Sequence, residues 1–326
     1  MPKVIITDYT FPDLEIEAAI LEPHTELVSV KEKLPPAELA ELVHDADAVI
    51  VQFASINPEV ISAMQKAKVI VRYGIGVDNV DLAAAKQRGI PVCNIPDYCV
   101  DEVADHALAF ILASTRQVLP NTLHLRAGHW GLALPVGSMQ ALKYLTVGVV
   151  GFGRIGREVV TRLLAFKAKV LVFDPLVSAA QITQFGAEPC DLDALLARSD
   201  IVTPHCPSTA ATKRMFNAET FAKMKPDAVF INVSRGDLTD SGALLEALQS
   251  GKLGAAALDV FDPEPIPANH PLLTMPNVIL AAHVASVSPR AVKTLRETAA
   301  RIALSAVRGE ALSNIVNGVV PNPGAL

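Results

Sequence analysis

The stretch LTVGVVGFGRIGREVVTRLLAFKAKVLVFD at 145–174 leaves this chain few folds to choose from. Leu145 to Val150 is an apolar run of the kind buried on both faces of a parallel sheet. Gly151-Phe152-Gly153-Arg154-Ile155-Gly156 follows at once and opens a segment whose apolar residues (Ile155, Val159, Val160, Leu163, Leu164) recur at helical spacing. A second apolar run, Lys169 to Phe173, ends in Asp174, 18 positions after the last glycine. Glycine also marks ordinary turns, so G-x-G-x-x-G alone carries little. Between a strand and a helix, with an acidic residue at that distance, it is the dinucleotide fingerprint. Gly151 permits the tight turn, Gly153 lets the backbone approach a pyrophosphate, and Gly156 allows close packing of helix on strand. N–H groups at the helix start, from Arg154 and Ile155, point at the phosphates with the positive end of the helix dipole. Asp174 can accept hydrogen bonds from the adenosine ribose and would repel a 2′-phosphate, and Pro175-Leu176 supply no cation to offset that. The expected cofactor is NAD rather than NADP.

With 326 residues the chain is long enough for two domains. Its net charge of −6 gives no basic surface for nucleic acid or anionic lipid. No apolar run approaches the roughly 20 residues of a membrane span. The N-terminus, MPKVIITDYT, enters a strand pattern directly and lacks a signal-peptide layout. Cys93, Cys99, Cys190 and Cys206 are scattered without C-x-x-C spacing, so reduced thiols in a cytoplasmic protein are expected. His24, His44, His106, His124, His129, His205 and His270 form no ligand pattern with one another, and no metal is implied.

Strand patterns at Lys3–Thr7, Thr25–Val30, Ala48–Val51, Lys68–Val71 and Ile90–Cys93 alternate with helical ones at Asp13–Leu21, Pro35–Val43, Asn57–Met64 and Asp81–Arg88. They predict a small parallel sheet wrapped by helices. Asp101–Val118 is a helix more apolar than one buried face requires, set either between domains or in a dimer interface. Pro120 to Leu142 reads as a short helix and a loop. From Leu145, strands are expected at 146–150, 169–173, 200–203, 228–232, 254–258 and 278–281 with helices between, the inventory of a doubly wound dinucleotide domain. Ser288–Arg308 is a final helix, and Asn314–Leu326 is expected to be irregular.

Charged residues end three of these apolar strands: Arg235 after FINVS, Asp259 after AAL with Glu264 in the loop beyond it, and His283 after LAA. The carboxyl ends of neighbouring strands in such a sheet face one crevice. Arg235, Glu264 and His283 can therefore converge although they span 48 positions.

The chain at this point resembles the D-isomer-specific 2-hydroxyacid dehydrogenase family. VRYGIGVDNVDL at 71–82, IPDYCVDEVADHALA at 95–109, RAGHW at 126–130, the glycine stretch, INVSRGDLTD, GAAALDVFDPEP and the strand ending at His283 carry the resemblance over nearly the whole chain. It implies two doubly wound α/β domains. A flavodoxin-like substrate domain would comprise residues 1–99 plus 289–326, and an inserted Rossmann NAD-binding domain residues 100–288. It also implies a homodimer built through the helices near 101–120. By the same resemblance His283 is the acid/base, Glu264 its carboxylate partner and Arg235 the substrate-orienting arginine. The chemistry agrees: oxidising a 2-hydroxy acid requires removal of the hydroxyl proton, which suits a histidine whose ring a carboxylate orients and favours as imidazolium. An arginine fork can hold carboxylate and carbonyl together.

Asp259 is implied either to lie beside the nicotinamide or to tune the histidine's surroundings. Cys206, Pro207, Val233 and Ser234 fall in cofactor-contacting loops, although both Cys99 and Cys206 read as apolar fillers, and His205 falls near the nicotinamide or in packing. The substrate carboxylate is expected at Arg72-Tyr73-Gly74-Ile75-Gly76, where glycines expose backbone N–H groups to an anion. Arg72 would contact the carboxylate or form an ion pair. Tyr73, bulkier than the residue usual there, would narrow the pocket, with Tyr98 as another wall. Trp130 reads as structural. Gln52 stands where phosphoglycerate dehydrogenases carry an arginine, and the chain stops short of their regulatory domain. Ser286 stands where the related corepressors carry Trp. The expected substrate is thus a small unphosphorylated 2-oxo acid such as glyoxylate or hydroxypyruvate. The alternatives are 3-phosphoglycerate oxidation and a dinucleotide-sensing, corepressor-like dimer with vestigial catalysis, while hydrolase chemistry on the same fold is disfavoured.

Overall fold

The computed structural model describes residues 1–320. The chain divides into two compact units, Met1–Cys99 with Ser288–Leu326, and Val100–Val287. In the first unit β1 (Lys3–Ile6), α1 (Glu15–Leu21), β2 (Glu26–Ser29), α2 (Pro36–Val43), β3 (Ala48–Val51), α3 (Pro58–Ala63), β4 (Val69–Arg72), α4 (Leu82–Gln87) and β5 (Val92–Cys93) follow one another. They build a parallel sheet of order β2-β1-β3-β4-β5, the flavodoxin-like winding.

The inner strands are mostly apolar because both faces are covered, whereas edge strand β2 carries exposed Glu26 and Ser29, and the period of two sorts the buried residues. Val4, Ile6, Ile50 and Val71 face one core with Leu21 of α1, and Ile5, Val49, Val51 and Ile70 face the other with Leu39, Val60 and Ala85 of α2 to α4. Side-chain caps fix where helices begin. Asn57 accepts the Val60 N–H at 3.0 Å, with Pro58 at the first helical position, and Asp81 accepts that of Ala84.

The second unit runs α5 (Val100–Thr115), α6 (Val118–Arg126), β6 (Thr146–Val150), α7 (Arg154–Ala165), β7 (Lys169–Phe173), α8 (Ala179–Gln184), β8 (Glu188–Pro189), α9 (Leu192–Arg198), β9 (Ile201–Pro204), α10 (Ala218–Lys223), β10 (Ala228–Asn232), α11 (Ser241–Gln249), β11 (Leu253–Leu258) and β12 (Val278–Leu280). Its parallel sheet has the order β12-β11-β10-β9-β6-β7-β8. The winding reverses between β6 and β9, which puts the glycine turn after β6 at the switch point, where doubly wound sheets bind ligands. The sheet has seven strands where the sequence pattern gives six. The addition, β8, is two residues long and ends in Pro189, which an edge position tolerates.

The chain then returns to the first unit as α12 (Pro289–Val307), capped by Ser288, whose Leu295, Ala299 and Ala303 complete the core of α1 and β1. Residues 314–320 form no helix or strand, yet the tail is tied down. Residues 314–317 lie antiparallel to β5: Cys93 bridges Ile315, Val316 N–H donates to Val92 O at 2.8 Å, and the Asn317 side chain bonds Ile90 and Val92. This satisfies a sheet edge that would otherwise present open donors and acceptors. The rest of the expected tail, 321–326, lies outside the described residues. Among the described residues no helix is long and apolar enough to cross a membrane.

Candidate active site

Backbone contacts dictate the glycine turn. Gly151 has φ +101°, and a Cβ there would meet the His205 carbonyl at 2.8 Å. A Cβ on Gly156 would run into the Gly151 oxygen. Gly153 differs, since a Cβ there would meet nothing within 4 Å. That open space adjoins the start of α7, whose first backbone bond runs from Arg157 N–H to Gly153 O at 3.0 Å. The N–H groups of Ile155 and Gly156 before it donate to no described residue. Asp174 accepts the Phe152 N–H at 2.7 Å through one oxygen and the Leu176 N–H at 2.8 Å through the other, so its carboxylate is fixed at the mouth of the turn. Each oxygen keeps a further lone pair for a ribose hydroxyl. Open space, helix-start donors and a fixed carboxylate fit a dinucleotide.

Beside the turn, the Cys206 Sγ faces Met215 Sδ at 3.9 Å, and burial pushes its thiol up to about 11, so it is no nucleophile. Pro207 O accepts the Thr212 hydroxyl at 2.6 Å, Val233 has its side chain buried, and Ser234 donates to Cys206 O at 3.3 Å. The His205 Nε2 meets the Thr203 hydroxyl at 3.0 Å. Burial pulls its imidazole down to about 3, so it stays neutral and belongs to the packing beneath Gly151.

Arg235 begins just after β10, and its guanidinium donates to Ser234 O at 2.8 Å. The sequence pattern gave no role to Asn232, which shapes this turn. The buried amide accepts the Ser234 N–H at 2.9 Å and donates to Arg235 O at 2.8 Å and to Thr239 at 3.2 Å. The signal was present, since a polar residue ending an apolar buried strand needs partners for its amide. Gly236 follows because a Cβ there would collide with the Phe261 backbone.

Glu264 accepts the Phe261 N–H at 2.9 Å through Oε1 and meets His283 Nδ1 at 2.8 Å through Oε2. Burial pushes the Glu264 carboxyl up, but the hydrogen bond and charge of His283, with Phe261 N–H and Arg235 behind them, hold it below the ordinary carboxylate value. Arg235, Glu264 and His283 thus share one electrostatic neighbourhood.

Asp259 is turned inward. It is fully buried, and its oxygens accept the N–H groups of Val284 and Ala285 at 2.8 and 2.9 Å, while its carbonyl accepts the His283 N–H at 2.7 Å. A contact between its side chain and a nicotinamide is not what this geometry provides. It anchors the turn in which His283 takes a left-handed conformation, φ +55°, uncommon for a residue with a Cβ though less so for histidine than for most. His106 of α5 stands 3.9 Å from the same carboxylate.

In the first unit, Arg72 ends β4 with its guanidinium 5.9 Å from the Phe53 ring centre, in the space that a Cβ on Gly74 would fill. Tyr73 does not narrow a pocket. Its side chain is 2% exposed, packs edge-on against Phe11 and donates from its hydroxyl to Glu17 Oε1 at 2.9 Å. Burial first, then the Glu17 charge, pushes the phenol well above its usual value, so it remains a donor. Tyr98 packs against the same core. The Tyr73 N–H is spent on Val51 O and that of Gly74 on Arg72 O, each at 2.8 Å. Ile75 and Gly76 are the loop residues whose N–H groups donate to no described residue, while Asn94 grips the Ile75 carbonyl at 2.7 Å. No cluster of three or more His, Cys, Asp or Glu among the described residues could hold a metal ion.

Comparison with known proteins places these features. The family model for the NAD binding domain of D-isomer specific 2-hydroxyacid dehydrogenases matches residues 108–285. The chain is 38% identical over 324 residues to a D-3-phosphoglycerate dehydrogenase of Methanocaldococcus jannaschii, covering 99% of this chain and 60% of that protein. It is 36% identical over 304 residues to a glyoxylate reductase of Korarchaeum cryptofilum, covering 91% of each. The chain spans little more than half the length of several phosphoglycerate dehydrogenases it matches. Among solved structures, a D-lactate dehydrogenase of Aquifex aeolicus complexed with NAD and lactic acid superposes with a TM-score of 0.88 at 28% identity, covering 98% of this chain and 100% of that one.

Proposed function

The chain belongs to the D-isomer specific 2-hydroxyacid dehydrogenase family, and on that premise we propose that it interconverts a small 2-hydroxy acid and its 2-oxo acid with NAD. Bound NAD supplies the hydride chemistry. His283 moves the proton on the C2 oxygen. With Nδ1 engaged by Glu264, Nε2 is the nitrogen that takes this proton during oxidation and returns it during reduction. Glu264 fixes the ring and stabilises its charged form. Arg235 holds the carboxylate and polarises the carbonyl. The observation that carries this proposal is the 2.8 Å bond between His283 and Glu264 at the carboxyl end of the nucleotide-binding sheet, with Arg235 beside it. A sensor that only binds a dinucleotide has no need of it.

An unphosphorylated substrate of the glyoxylate or hydroxypyruvate type is supported by the glyoxylate reductase relative, similar over 91% of each chain, and by Gln52, whose side chain is bonded to Thr10. A 3-phosphoglycerate substrate is favoured by the 38% identity to the Methanocaldococcus jannaschii protein and by the cation at Arg72. Asp174 supports NAD over NADP. A homodimer is supported by the arm from α6 onward. Among its described residues α6 buries none, and Trp130 and Val136 beyond it are 93% and 75% exposed. An apolar surface of that kind is the mark of a covered face.

Coenzyme oxidation by the purified protein, with NADH and separately NADPH, against glyoxylate, hydroxypyruvate, pyruvate, 2-oxoglutarate and longer 2-oxo acids tests the proposal, alongside 3-phosphoglycerate oxidation. Turnover of a small unphosphorylated acid with NADH is expected. Turnover of 3-phosphoglycerate alone would replace the substrate, and binding of NADH without turnover of any acid would favour the sensor.

A further inference from the structure

The loop at Gly74–Gly76 is held from below by residues far away in sequence. Tyr73 sends its hydroxyl to Glu17 Oε1 at 2.9 Å, and Glu17 is wholly buried. The same carboxylate accepts Arg296 of α12 through Nε at 2.9 and 3.1 Å and through Nη2 at 2.7 Å. Arg296 also bonds the Asp13 carbonyl at 2.8 Å and its carboxylate at 3.0 Å, and its guanidinium lies 5.0 Å from the centre of the Phe11 ring that packs on Tyr73. One buried point therefore ties α1, α12 and the chain leaving β4. Immediately above it Gly74 turns with φ +145°, and three residues past Tyr73 the loop ends in Gly76. Asn94 fixes the Ile75 carbonyl from the other side. In a trans peptide the N–H points opposite to the carbonyl, so that grip also sets the direction of the Gly76 N–H.

We propose that Tyr73 is a positioning residue, whose phenol, tethered to the Glu17–Arg296 pair, holds the Ile75 and Gly76 N–H groups in the geometry that receives the substrate carboxylate. This rests on the dehydrogenase function proposed above and on this loop as its carboxylate site. A buried carboxylate enforces such a tether, because losing one donor leaves it partly unsatisfied. A tyrosine with apolar surroundings alone would pack as well as phenylalanine and would transmit nothing to the loop.

The test is Tyr73→Phe, followed by steady-state kinetics and by the amide nuclear magnetic resonance shifts of Ile75 and Gly76. A lost hydrogen bond to a charged group corresponds to roughly a tenfold effect. The KM for the 2-oxo acid is thus expected to rise by about 5- to 10-fold, while kcat and the KM for NADH hold and both amide signals move. Ile6→Val softens the same core without touching the hydroxyl or Arg296, and is expected to lower the melting temperature but leave the KM alone. Unchanged KM and amide shifts in Tyr73→Phe, or an equal KM rise in Ile6→Val, overturns the proposal. Should Tyr73→Phe not fold, Arg296→Lys loosens the fork on Glu17 and is expected to give the same KM-selective loss in weaker form, and an unchanged KM there overturns it too. If the wild-type protein turns over no acid, the dehydrogenase function fails by itself, and the amide shifts still decide whether Tyr73 holds the loop.

Discussion

Two glycine loops, each at the carboxyl end of a parallel sheet, are built by opposite means. In the loop at 151–156, backbone meets backbone: Gly151 lies on the His205 carbonyl, Gly156 on the Gly151 oxygen, and Gly153 faces open space. In the loop at 74–76, side chains do the shaping. Gly74 makes room for the Arg72 guanidinium, Tyr73 is anchored by Glu17, and Asn94 holds Ile75. The first loop is fixed by backbone that has little room to shift, and the second by the side chains that brace it. On the proposed function, nucleotide binding would rest on the first kind of construction and recognition of the acid on the second.

The largest effect expected separates the chemistry from both loops. His283→Asn should cut turnover by about 10²- to 10⁴-fold while the NADH affinity measured by fluorescence titration holds. Turnover near the wild-type rate would remove His283 from the acid/base role. Paired glycine substitutions address the comparison itself. In Gly156→Ala the new methyl meets a carbonyl oxygen that cannot yield, so a loss of about 1–3 kcal/mol and of NADH binding is expected in thermal and binding assays. Gly74→Ala pushes on a flexible guanidinium and strains a positive φ. It should raise the KM for the acid and spare NADH binding. Equal loss of NADH binding in both would erase the distinction.

The smallest effect is in acid. The Glu264 carboxyl is held below its ordinary value, so its pair with His283 adds stability above the unfolded value of about 4.3 and loses it as pH falls through the lower folded one. The melting-temperature gap between wild type and Glu264→Gln should therefore close on acidification. A gap that persists well below that pH would show the pair to be stabilised by something other than charge.

The same contrast explains what was legible in the sequence. Strand and helix positions followed from apolar periodicity, because both faces of each sheet are covered and burial forces the pattern. The turn at 151–156 was legible because its constraints are local: a strand, glycines and a helix start within a few residues. Arg235, Glu264 and His283 stand out in the sequence because each ends or follows a strand that winding brings to one edge. In the sequence Tyr73 reads as a residue narrowing a pocket, because Glu17 and Arg296, which define its place, stand 56 and 223 positions away. Asp259 and Asn232 show in the sequence as polar residues ending buried strands, but the backbone groups of turns that they bond do not. The two-residue β8 is too short to show a period.

The return of α12 to the first unit has a consequence for how the molecule is made. Residues 100–287 form one uninterrupted stretch, so that unit has its whole core available once it has left the ribosome. The earlier unit does not. Its sheet precedes that stretch, yet Leu295, Ala299 and Ala303, and the Arg296 that neutralises buried Glu17, follow it in the chain. Until those residues emerge one face of that sheet waits uncovered with a carboxylate lacking its counter-charge, so the sheet made before the inserted unit reaches its native packing only after that unit has been made.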